Sequence, residues 1–423
     1  MAKQFSIKDR KPWRIRFFTI WGGQALSILG SQLVQFALIW HLTVKTGSAT
    51  VLATASLVGI LPGVILGPFI GTLVDRLNRR RIMIFSDSII ALATIGLAIL
   101  FTLNAVTEWH IYLAMFIRSL AGCFHGNSMN ASTSLMVPVE NLTRIQGINQ
   151  ILNGGLNIIS APLGALLINV LPLQGILAID VITAMLAILP LFFIQIPQPE
   201  RVLRGKMQKD IQPTVLQDFK AGFRFVLGWP GLLIIGLISM GINFTIVPAF
   251  SLLPLMVKDY FGGSAIHLGW IESGMGIGIL VGGALLGIWG GFKRKILTSM
   301  FGLFGMGVGS LILALAPSSV FLLAVGGALL VGFMMPITDG PFLAVIQSTV
   351  QPDMQARVFS LLGSVGTAMV PIGLMVAGPV ADRFGIQTWF MLSGLICVLM
   401  SIAGYFIPVV MNIEDTHKII DDF

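Results

Sequence analysis

Twelve apolar runs, each long enough to cross a bilayer, follow one another along this chain: residues 17–42, 50–74, 82–104, 110–137, 145–170, 175–196, 229–257, 266–291, 296–316, 319–349, 358–381 and 388–411. A helix needs about 20 apolar residues to span the hydrocarbon core. Backbone in lipid must satisfy its own hydrogen bonds, so runs of this length become helices packed side by side. Mean hydropathy is +0.90 and only 10% of residues are charged, against about 25% in soluble chains. A water-soluble domain is excluded, and with it a nucleic-acid binder, although the net charge is +8. The basic N-terminus followed by residues 17–42 reads as an uncleaved first span, because that run is too long for a signal peptide.

The polar stretch 197–228 falls after the sixth run. It divides the chain into an N-terminal six-helix half (1–196), a cytoplasmic central loop (197–228) and a C-terminal six-helix half (229–423). Placing both termini in the cytoplasm leaves only Lys45, Lys258 and Arg383 in outward-facing segments and Arg118 inside a span; the rest of the 26 lysines and arginines fall inside. That is the positive-inside bias of a multi-pass cell-membrane protein. Trp40, Trp109, Trp389, Trp13, Trp229 and Trp289 stand near span ends and read as interfacial anchors.

The halves repeat. Arg79-Arg80-Arg81 and Lys293-Arg294-Lys295 are 214 residues apart, and the acid-x-x-x-Arg pairs Glu140/Arg144 and Asp353/Arg357 are 213 apart. Pro162-Leu163-Gly164 and Pro371-Ile372-Gly373 follow at nearly the same offset. Parallel repeats of this kind are related by an axis along the membrane normal. Span two carries Gly59, Gly63, Gly67 and Gly71 on one face, and its partner, span eight, carries Gly274, Gly278 and Gly282. Such faces let helix backbones approach closely in lipid. They read either as generic packing or as helices that part at a gate.

Gly71-x-x-x-Asp75-Arg76-x-x-Arg79-Arg80 resembles the signature loop of the major facilitator superfamily, with Asn78 where the signature usually has glycine. Arg118-Ser-Leu-Ala-Gly122 resembles its second motif, with Ala121 in place of glutamine, and Gly154-Gly155…Ala161-Pro162-Leu163-Gly164 resembles a degraded drug:proton antiporter motif. FFTIWGGQALS, HLTVKTGSA and RVFSLLGS…VPIGL are similar to bacterial macrolide-efflux proteins. The resemblance implies the major-facilitator fold and export of amphiphilic, macrolide-like drugs by proton antiport. It implies a cytoplasmic gate of Gly71, Asp75, Arg76, Arg79, Arg80, Glu140, Arg144, Asp353 and Arg357. There Asp75 faces the N-terminus of span eleven and Arg79 pairs with Glu140. It also admits an ATP-binding partner protein beside a chain that is otherwise a monomer in lipid. Gly378-Pro-Val-Ala-Asp382-Arg383-Phe-Gly385 resembles the signature loop too, but parity puts it outside, where it reads as a short turn.

An ionisable residue in mid-membrane costs about 2.5–3.5 kcal/mol on insertion scales, which makes each a candidate for function. Glu272 in span eight and Asp339 in span ten are the first candidates for proton coupling. Arg118 in span four and Asp180 in span six lie at similar depth and are expected to form an ion pair, either a strut or part of the coupling. Asp87 in span three reads as peripheral, hydrated or paired with the arginine loop. Gln24, Gln32, Gln35, His125 and Asn243 are candidates for the substrate cavity, with Gln24 and Gln35 on one helix face. No G-x-x-x-x-G-K-[ST] loop or His/Cys metal pattern occurs in the sequence, and Cys123 and Cys397 give no disulfide framework, so neither an enzyme nor a cofactor is expected. The same architecture also admits export of a lipid or siderophore, or a non-transporting sensor.

Overall fold

A computed structural model describes residues 12–198 and 223–414. The apolar runs become the helices α1 (Pro12–Thr46), α2 (Ala49–Arg76), α3 (Arg79–Thr102), α4 (Glu108–Met136), α5 (Val139–Val170) and α6 (Leu173–Phe193), then α7 (Pro230–Ser251), α8 (Ala265–Trp289), α9 (Lys295–Leu315), α10 (Phe321–Thr349), α11 (Pro352–Phe384) and α12 (Ile386–Phe406). Among the described residues, eleven helices are long and apolar enough to cross a membrane. The helix missing from that count is α4. It is 29 residues long, but Arg118, His125, Asn127, Ser128, Asn130 and Ser132 dilute its apolar character. The expected twelve spans are therefore shown for eleven.

Local chemistry sets the helix ends. Asn78 caps α3 by accepting from the Arg81 amide at 3.1 Å. Thr107 and His110 form a capping box at the start of α4, and Ser264 and His267 form one at the start of α8. Gly290, at φ 75°, takes the left-handed conformation that closes α8.

The chain divides into two compact units, Met1–Lys45 with Val58–Leu203, and Thr46–Leu57 with Arg204–Phe423. The first two turns of α2 belong to the second unit. In the first unit, apolar clusters among the described residues include Ile20, Met83, Leu191 and Ile196, and Ile70, Val74 and Ile82. In the second unit one continuous core joins Leu232, Ile235, Leu303, Val345, Val358 and Cys397. Large apolar side chains remain exposed on both units, among them Phe69, Phe85, Phe193, Ile288 and Leu322, as expected where lipid is the solvent.

Glycine governs the packing of the second unit. A Cβ at Gly278 would meet the carbonyl oxygen of Leu329, one at Gly282 that of Phe333, and one at Gly332 that of Met275. The small face of α8 is thus pressed against α10. On α9, Gly309 stands 2.8 Å from the Gly327 carbonyl and Gly307 2.8 Å from that of Gly394, measured from an added Cβ. The corresponding face of α2 is looser. Gly63 would meet only Cys123 Sγ at 3.5 Å, and at Gly67 and Gly71 nothing among the described residues lies within 4 Å. Trp389, expected at an interface, is instead 1% exposed, and its indole N–H donates to the Thr245 carbonyl at 3.1 Å.

Candidate functional site

Two polar rungs cross the interior of the first unit. Asp87 and Thr94 are seven residues apart on α3, as are Arg118 and His125 on α4, so each pair lies on one helix face two turns apart. The chain reverses between α3 and α4, which brings Thr94 level with Arg118 and Asp87 level with His125.

At the first rung Arg118 Nη1 lies 2.5 Å from Asp180 Oδ2. Thr94 Oγ1 donates to the same oxygen at 2.9 Å, and Arg118 in turn donates to Thr94 Oγ1. Ser31 Oγ donates to Asp180 Oδ1 at 3.0 Å. Asp180 is fully buried and Arg118 is 9% exposed. The approach of α1 to α6 depends on Gly23 and Gly30, where a Cβ would stand 3.1 Å from Ala187 Cα and 3.2 Å from Asp180 Cα respectively. A buried pair with its remaining lone pairs satisfied can bear its desolvation; one with a partner missing cannot.

At the second rung Asp87 is 3% exposed. Its Oδ2 accepts from Gln24 Nε2 at 3.2 Å, and its Oδ1 lies 3.5 Å from His125 Nε2. The expectation that Asp87 is peripheral is corrected: it faces inward, onto α1 and α4, away from the arginine loop. Gln24 and His125, expected in an open cavity, are buried in this rung, and Gln24 also donates to the Ala187 carbonyl at 3.5 Å. The face shared by Gln24 and Gln35 does not give a shared environment, since Gln35 is exposed. Gln32 is partly buried, and Asn243 Nδ2 donates to the Ser239 carbonyl of its own helix at 2.9 Å.

The second unit keeps Glu272 and Asp339 apart. Gly274, Gly278 and Gly282 of α8 meet Val325, Leu329 and Phe333 of α10, a constant offset that sets both helices in the same direction. Glu272 is therefore level with Leu323, sixteen residues before Asp339, or about 24 Å along the helix axis. Glu272 is partly buried and has no hydrogen-bond or ion-pair partner among the described residues. Asp339 is exposed and borders a cleft lined by Ser239, Ile242, Ser299, Leu303, Thr338 and Phe342.

In the arginine loop, Arg79 is buried and its Nη1 donates to the Ala131 carbonyl at 2.8 Å. Arg80 donates to the last carbonyls of α6, Leu191 and Phe192, the latter at 2.6 Å, where a cation complements the helix dipole. Glu140 and Arg144 are exposed in the first turns of α5, while Gly71 and Arg357 are partly buried. The side chains of Asp75, Arg76 and Asp353 lie outside the described residues.

Asp382 overturns a sequence expectation. The stretch around it is the last turn of α11, not a loop. Its carboxylate accepts from the amides of Ala49 at 2.6 Å and Thr50 at 3.0 Å and from Ser48 Oγ at 3.1 Å. These are the orphan amides of the first turn of α2, inside the second unit. Gly378, one turn earlier, allows the approach, since a Cβ there would stand 2.8 Å from Thr50 Cα. An acid flanked by glycines near a span end was the only sequence signal for it.

Residues 20–374 match the Major Facilitator Superfamily. The chain is 37% identical over 390 residues to Macrolide efflux protein A of Streptococcus pyogenes, covering 92% of this chain and 95% of that protein. It is 23% identical over 398 residues to the Multidrug efflux pump Tap of Mycolicibacterium fortuitum, covering 92% and 95%. Among solved structures, a bacterial homologue of the iron transporter ferroportin in the inward-facing state superposes with a TM-score of 0.68 at 14% identity, covering 92% of this chain and 99% of that one. A D-xylose–proton symporter superposes at 0.67 and 13% identity, covering 90% and 95%.

Proposed function

This chain belongs to the Major Facilitator Superfamily, and on that premise we propose that it exports amphiphilic, macrolide-like drugs by proton antiport with alternating access. The likeness to Macrolide efflux protein A supports the substrate class. The observation that carries the coupling is Glu272, a carboxylate without a partner among the described residues, and the one acidic or basic side chain on α8 apart from the capping His267. Removing a charge from water is costly unless it is paired or neutralised, so a lone carboxylate at this depth is set up to take a proton or a cationic substrate in turn. Asp339, about 24 Å away along the bundle, serves the other end of the same path.

In this reading α4 is the twelfth crossing, both termini are cytoplasmic, and the protein works as a monomer in a bacterial cell membrane. Asp382 then holds the start of α2 on the outer side. Asp75, near the opposite end of α2 in sequence, would be its inner counterpart, in the gate that also includes Arg79, Arg80 and Glu140. Opening one side requires releasing the carboxylate at that side.

The test is uptake of a labelled macrolide into everted membrane vesicles under an imposed pH gradient. Uptake abolished by an uncoupler, and lost in Glu272→Gln, is the expected result. Uptake that ignores the gradient would remove antiport. No macrolide uptake by folded protein would remove the substrate class, and lipids and siderophores would be assayed next.

A further inference from the structure

Three buried side-chain atoms on α1 and α4 of the first unit have no hydrogen-bond partner among the described residues: Gln24 Oε1, His125 Nε2 and Ser128 Oγ. Their residues are 2%, 9% and 0% exposed. Gln24 Nε2 and His125 Nε2 both approach one carboxylate, Asp87, itself 3% exposed. Buried polar groups normally find partners, and an exception calls for a reason. Here two of the three residues, Gln24 and His125, bear directly on one carboxylate, the histidine at 3.5 Å.

The charges facing this spot can be counted element by element. α1 offers Gln24 and Ser31, both neutral. α4 offers His125 and Arg118, and Arg118 is committed to Asp180. α6 offers Asp180, committed in the same pair. On α3, Asp87 is the remaining charge. Arg118 and Asp180 cancel. With His125 neutral and Asp87 ionised, the rung holds one uncompensated buried negative charge. One proton cancels it, whether carried on Asp87 or on His125 Nε2, where it turns the 3.5 Å approach into an ion pair. A second proton would leave a bare buried cation.

We propose that Asp87 and His125 form a one-proton binding site in the first unit, separate from Glu272 and Asp339, which is loaded and emptied once per transport cycle. The proposal rests on the antiport reading. Gln24 positions the Asp87 carboxylate. Ser128, three residues beyond His125 on α4, faces the same side and supplies a hydroxyl on the path of the proton. Histidine is suited to this exchange because its ordinary pKa lies near neutrality.

The experiment uses the full-length protein in proteoliposomes and compares two fluxes of labelled erythromycin: uptake driven by a pH gradient, and counterflow between two erythromycin pools, which moves no net proton. Asp87→Asn is expected to lower driven uptake at least about tenfold, within the range of couplings between two linked sites, while counterflow stays within about twofold of wild type. His125→Gln should do the same. An infrared titration of purified protein should also lose one protonated-carboxyl band in Asp87→Asn. If wild-type uptake does not respond to the gradient, the antiport reading fails. If wild-type uptake responds and Asp87→Asn responds equally, this site is overturned and antiport stands. If both variants lose counterflow along with driven uptake while thermal unfolding is unchanged, the pair is structural and the proposal is overturned.

Discussion

In the first unit the helices meet through charge: Arg118, Asp180, Thr94 and Ser31 form a buried knot, with Asp87, His125 and Gln24 two turns away. In the second unit they meet through absence of side chains, with Gly278, Gly282, Gly332, Gly307 and Gly309 bringing backbone against backbone. Lipid gives helices no hydrophobic reason to associate, so bundles rely on polar bonds or close packing. The two units have each taken one solution. A polar knot can exchange protons and change its bonds. A glycine-packed bundle, with Glu272 and Asp339 far apart in it, has few polar bonds to rearrange between its helices.

The largest effect should come from breaking the knot. Asp180→Leu leaves Arg118 buried and alone, which should cost about 3–5 kcal/mol of stability, read as thermal unfolding of purified protein. Adding Arg118→Met should restore most of that. A double variant that is stable and still transports under a pH gradient would make the pair a strut; one that is stable and inactive would place it in the coupling. If Asp180→Leu alone is harmless, the contrast between the halves fails.

Next comes the packed face. Gly282→Leu would drive a side chain into the Phe333 carbonyl, and overpacking of this kind costs about 1–3 kcal/mol or more. Loss of folded protein on size-exclusion chromatography is the readout. Asp382→Ala should cost about 1 kcal/mol, as for loss of a helix N-cap, and should ease opening on its own side. Cross-linking of cysteines introduced near residues 48 and 382 would report that opening. The smallest change is expected at the repeat partner of the packed face: Gly67→Ala should stay within about 0.5 kcal/mol, because among the described residues nothing stands near its Cβ direction. A severe Gly67→Ala would erase the difference between the two glycine faces.

Run lengths alone placed the helices, because about 20 apolar residues in series have few other fates. The Arg118–Asp180 pair was also legible, since span parity put both at similar depth. The second rung was not. Its residues lie on different helices, and only the register between α3 and α4 brings Asp87 to His125; one helix read by itself shows a charge near an end. Trp389 misled for a related reason. Tryptophan favours interfaces, but a nearby carbonyl, that of Thr245, lets the indole be buried. Asp382 was hidden by distance along the chain: a carboxylate can cap a helix more than 300 residues away in sequence, and turn chemistry reads only neighbours.

The polarity of α4 bears on how the protein enters the membrane. Helices insert in order during synthesis, and α4 is the helix whose composition alone falls short of the apolar character needed to cross. Its arginine gains its carboxylate only when α6 emerges, 62 residues later. Until then α4 has Thr94 of α3 and the Ser31 carbonyl of α1 to hold its charge. The first unit therefore cannot be completed helix by helix. On the twelve-span reading, Arg118 stays without its carboxylate until Asp180 of α6 is made, and a chain stopped before α6 would present a guanidinium lacking its ion-pair partner to whatever inspects newly made membrane proteins.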